Sequence, residues 1–131
     1  MAQMKNKEKE IQLGPNRLYF GEDKIFYAIL VGDLSAEIVN TSYEFFERNK
    51  NENMIDGKVR IFADLTHSGK PSMEARKLTY LFSESKDIGK FAIIGMNPVA
   101  KVIAAFFMGN TRKKDIKFFN TTEEAIEWLK K

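Results

Sequence analysis

The stretch "KIFYAILVG", Lys24 to Gly32, constrains the fold more than any other. Side chains of a strand alternate between its two faces. Ile25, Tyr27, Ile29 and Val31 therefore line one face, and Phe26, Ala28 and Leu30 line the other. Both sets are apolar. A strand of that kind is a central one, covered above and below, and layered α/β architecture supplies such cover.

The flanking sequence provides the layers. In "IQLGPNRLYFGEDKIFYAILVG" two strands are read, with Gly14-Pro15-Asn16 punctuating the first and Gly21-Glu22-Asp23 turning into the second. "DLSAEIVNTSYEFFERNKN" is a helix capped by Asp33 or Ser35, with Glu37 in its first turn and Leu34, Ile38, Phe45 and Phe46 near helical spacing. After the polar loop "NKNENMIDG", the strand "KVRIFADL" alternates Val59, Ile61, Ala63 and Leu65 against Arg60, Phe62 and Asp64. A helix from about Ser72 to Lys86 and the strand "KFAIIGM" follow. Asn97-Pro98 opens a helix that ends at Gly109, the short strand "DIKFF" comes next, and Thr121 with Glu124 boxes the start of a last helix burying Ala125, Trp128 and Leu129. The order is β-β-α-β-α-β-α-β-α: a mixed β-sheet with an N-terminal hairpin, parallel crossovers and about four helices. Residues 1–10 read as a flexible segment and 11–131 as a single domain.

Composition removes several classes of function. Without cysteine there is no disulfide, thiolate nucleophile or thiolate metal site, and one histidine cannot supply a multi-imidazole centre. No metal or cofactor is expected, and "GKP" and "GMNP" lack phosphate-loop spacing. The net charge of +3 is spread among acids along most of the chain, so no nucleic-acid partner is expected. "MAQMKNKEKE" is not a signal-peptide pattern, and Val99 to Met108 is far short of the roughly 20 residues of a membrane span. The expected compartment is the cytoplasm.

The order of elements is that of STAS domains. "IFADLTHSGKPSMEARK", "GKFAIIGMNPVAKVIAAFFMG" and "KDIKFFNTTEEAIEWLKK" sharpen the likeness, which resembles the SpoIIAA-like branch found in small bacterial proteins and similar in fold to CRAL-TRIO lipid-transfer domains. The resemblance implies a regulatory or binding module, not an enzyme. It also implies a phosphorylatable serine at the helix start after the central strand, where anti-sigma antagonists carry Asp-Ser-Ser-Gly. Here Ser72 takes the helix-start position and Ser68 lies earlier, but the loop reads "DLTHSGKPS".

Three candidate surfaces follow. The loop Asp64 to Ser72 gathers Asp64, Thr66, His67, Ser68 and Ser72 at the carboxyl end of a central parallel strand, the edge where open α/β sheets bind ligands. A hydrolase triad there is a remote alternative, since nucleophile, base and orienting acid normally come from separate segments. Asp64, Thr66 and Ser72 also serve simply as turn and helix caps. The helix "NPVAKVIAAFFMG" has one charge, Lys101. Val99, Val102, Ile103, Phe106, Phe107 and Met108 then belong to the core, to a protein or homo-oligomer interface, or to a lid over a lipid-like ligand. Finally, Arg112, Lys113 and Lys114 form either a solvated loop or a contact for an anionic partner, a peripheral membrane surface included.

Overall fold

The computed structural model describes residues 9–95 and 115–131. Three strands come first: β1 (Glu10–Leu13), β2 (Asn16–Phe20) and β3 (Ile25–Leu34). They are followed by α1 (Ala36–Asn49), a 3-10 turn at Asn51–Asn53, β4 (Val59–Pro71) and α2 (Met73–Ser83). The described chain ends with β5 (Ile88–Ile94), β6 (Ile116–Phe118) and α3 (Thr122–Lys130). The strands form one sheet in sequence order, antiparallel from β1 to β3 and parallel from β3 to β6. The mixed sheet with parallel crossovers is therefore the one expected. The first strand of the sequence reading is itself a hairpin, however, because Gly14-Pro15 turns the chain and pairs Leu13 with Asn16. Three helices lie among the described residues, and the span 97–109, expected to be helical, lies outside them.

Each helix starts where a side chain accepts an amide that has no partner within the helix. Ser35 Oγ accepts from Ile38 N at 3.2 Å, Ser72 Oγ from Ala75 N at 3.0 Å, and Thr121 Oγ1 from Glu124 N at 3.1 Å. On one side of the sheet, Phe45 and Phe46 of α1 meet Phe26, Leu18 and Ile61, all buried. On the other side, Ala125 and Leu129 of α3 meet Ile25, Tyr27, Phe62 and Ala92. Both faces of β3 are thus covered, as its sequence demands. Each large apolar side chain that it fully buries contributes roughly 1.5–3 kcal/mol.

Tyr27 links this core to the turn before it. Its hydroxyl donates to Asp23 Oδ2 at 2.6 Å, and its ring stacks on Tyr19 at 4.7 Å. Burial, reinforced by the Asp23 hydrogen bond, pushes the phenol well above the usual tyrosine range. The fold therefore favours the neutral phenol. That contribution is complete below the unfolded tyrosine value of about 10 and is lost as pH rises beyond it toward the folded value. Urea midpoints measured from pH 9 to pH 11.5 should fall in the wild type and fall less steeply in Tyr27→Phe.

Candidate interaction site

The candidate site is built by an over-long pair of strands. β3 pairs with β2 only as far as Ile29, and β5 pairs with β4 only as far as Asp64. Beyond that level β3 and β4 pair, among the described residues, only with each other, with Val31 beside His67, Gly32 beside Ser68 and Leu34 beside Pro71. Between Ile29 and Val31 the partner strand advances from Asp64 to His67, and between Gly32 and Leu34 it advances from Ser68 to Pro71. Each step places one extra residue on β4. Such bulges bend a strand and re-aim its side chains.

This corrects the loop expected at Asp64 to Ser72: residues up to Pro71 are strand, and only Ser72 stands between strand and helix. The cause is tertiary. Val31 to Leu34 offers backbone partners, and side chains from distant positions complete the ladder. Val31 N donates to Asn16 Oδ1 at 2.8 Å, and Asn16 Nδ2 donates to the Leu13 carbonyl at 3.0 Å. Lys70 N donates to Asp33 Oδ1 at 2.9 Å. A Cβ on Gly69 would run into that same Asp33 oxygen, so glycine allows the latch. Pro71, which has no amide hydrogen, sits at the last strand position, where none is required.

The structure sorts the predicted residues individually. The Asp64 carboxylate accepts from Thr66 N at 2.9 Å, so it serves the bulge as a local cap. Thr66 and His67 are exposed, and Ser68 is half-buried, its hydroxyl donating to the Leu65 carbonyl at 3.0 Å. The register puts His67 on the side of Val31 and Ser68 on the opposite side with Gly32. Imidazole and hydroxyl therefore diverge, and Asp64, His67 and Ser68 are not gathered into a triad. Ser72 is exposed and caps α2. The apolar residues Val99, Val102, Ile103, Phe106, Phe107 and Met108, and the basic Arg112, Lys113 and Lys114, lie outside the described residues. Among the described residues, no group of three or more His, Cys, Asp and Glu is placed to hold a metal ion. No described helix is long and apolar enough to cross a membrane.

Sequence reasoning missed four contributors. Asn16 reads as a turn residue, yet it is 2% exposed and anchors β3. Asp33 reads as a helix cap, but Ser35 takes that place and leaves Asp33 to hold β4. Met73 and Leu81 fall within the helix read from about Ser72 to Lys86, where no face was assigned to them, and they are 68% and 63% exposed. Their separation by eight positions was the available signal, since residues four and eight apart share a helix face.

The SpoIIAA-like family model matches residues 25–130. The chain belongs to the SpoIIAA-like family. Solved structures agree on the fold. A Shewanella loihica protein with a SpoIIAA-like fold superimposes with a TM-score of 0.61 at 19% identity, covering 92% of this chain and 89% of its own. The anti-sigma factor antagonist SpoIIAA in its unphosphorylated form superimposes with a TM-score of 0.62 at 14% identity, covering 87% of this chain and 96% of its own. No curated protein matches the chain. In this SpoIIAA-like chain the bulged β3–β4 ribbon and the start of α2 lie at the carboxyl end of the central parallel strands.

Proposed function

We propose that this SpoIIAA-like chain is a non-enzymatic regulatory module of the cytoplasm. It acts by binding a partner protein through the ribbon end Thr66 to Lys70 and the start of α2. The observation that carries this reading is the ribbon itself. It extends past both neighbouring strands and presents Thr66, His67, Lys70, Ser72 and Met73 to solvent at one edge. The shared fold with an anti-sigma factor antagonist supports the same use.

Ser72 is the residue through which that surface is switched. A phosphate there adds close to two negative charges at a helix N-terminus, which tolerates them well, and changes what a partner meets. Asp64, Thr66 and Ser68 shape the contact beside it. The test begins with partners captured from the source cells by the tagged chain, each then titrated as a purified protein. Ser72→Ala should keep partner affinity within about threefold while losing about 1 kcal/mol of stability with its cap. Ser72→Asp, which keeps a capping oxygen, should keep stability and weaken the partner at least tenfold, about 1.4 kcal/mol. Equal binding by the wild type and Ser72→Asp would remove the switch. Equal binding by Met73→Glu and His67→Asp would remove the surface.

A further inference from the structure

Resting on the reading of this edge as a protein-binding surface, we infer that the partner presents an acidic amphipathic helix to the outer face of α2. Met73, Lys77 and Leu81 fall four residues apart and form one stripe about 12 Å long at 1.5 Å per residue. The two ends of the stripe are 68% and 63% exposed, and an exposed apolar pair on a regular helix is a natural seat for another helix. Charge decides what kind. Lys70, Arg76 and Lys77 are exposed around the first two turns, against Glu74 on the helix and Asp33, whose carboxylate already accepts from Lys70 N. Arg17 is paired with Glu10 and Lys50 with Glu47 and Asp87, whereas none of these three cations has an ion pair or side-chain hydrogen bond among the described residues. The N-terminal end of the helix dipole adds to the positive field. Free cations beside bare apolar side chains complement a helix with an acidic flank and apolar residues at i, i+3 or i+4, and i+7. A membrane is the poorer occupant. The opposite face of α2 packs on α1 and the sheet through Ala75 and Phe82, so only the narrow stripe could enter a lipid interface, which favours a broad apolar face.

The probe is a displayed library of helix-forming peptides about 20 residues long, spanning net charge from negative to positive. It is selected on the intact wild-type chain and counter-selected on the Met73→Glu/Leu81→Glu double variant, whose fold is checked by circular dichroism. Enriched peptides should be net acidic with helical apolar spacing. They should weaken at least tenfold on Arg76→Glu/Lys77→Glu, and weaken again as salt is raised. Enrichment of basic or neutral peptides that still require Met73 and Leu81 would overturn the acidic partner and leave the surface standing. Peptides indifferent to the double variant, no enrichment at all, or capture of the chain by phosphatidylserine vesicles in place of peptides would overturn both.

Discussion

Replacing Gly95 with alanine should destabilise the protein by about 3 kcal/mol, combining a left-handed backbone penalty of about 1–2 kcal/mol with overpacking of about 1–3 kcal/mol. Gly95 follows β5 with φ of +81°, and a Cβ there would overlap the Thr66 amide nitrogen and lie 2.5 Å from both Thr66 Cα and Oγ1. The obstacle is backbone, which cannot rotate aside as a side chain can. Gly32 is the control: its φ is +79°, but a Cβ there meets nothing within 4 Å. Gly32→Ala should therefore lose only the backbone part, about 1–2 kcal/mol. Denaturant unfolding of both variants isolates the close approach of β5 to the first bulge. Equal losses would mean that Thr66 does not pack on Gly95. The larger loss at Gly95 should also disturb Thr66 and its hydrogen bond to Asp64, tying stability to the shape of the candidate site.

Phe26→Ala should destabilise the protein by about 3–5 kcal/mol. Phe26 is 1% exposed, and its ring lies 5.0 Å from Phe20 and 5.9 Å from both Phe45 and Phe46. Removing it opens a cavity between the sheet and α1, where four aromatic rings now fill the space. Against a typical domain stability of about 5–15 kcal/mol, the variant should be marginal or unfolded at physiological temperature. A loss below about 1.5 kcal/mol in thermal or urea unfolding would contradict a core centred on β3.

That core was legible because alternation is local information. Phe26 and Tyr27 are sequence neighbours, and the structure places one under α1 and the other under α3, as their opposite faces require. The caps at Ser72 and Thr121 were legible for the same reason, since donor and acceptor are three residues apart. The shape of the site was not. "THSGKP" carries turn-forming residues, and nothing within it reveals that Val31 to Leu34 will hold it as a strand. The Asp33–Lys70 contact spans 37 positions and the Asn16–Val31 contact spans 15. Their partners become neighbours only once the sheet exists. Gly95 likewise reads only as part of the strand "KFAIIGM", with nothing local to show that Thr66 packs against it.

The most direct measurement is an amide-resolved NMR titration of the nitrogen-labelled chain with a partner captured by the wild type and lost on Met73→Glu. Thr66 to Met73 should shift or broaden together with Lys77 and Leu81, while α3 and β1 stay still. Perturbations confined to α3 or β1, with Thr66 to Met73 unchanged at saturation, would contradict the assignment of this edge as the working surface.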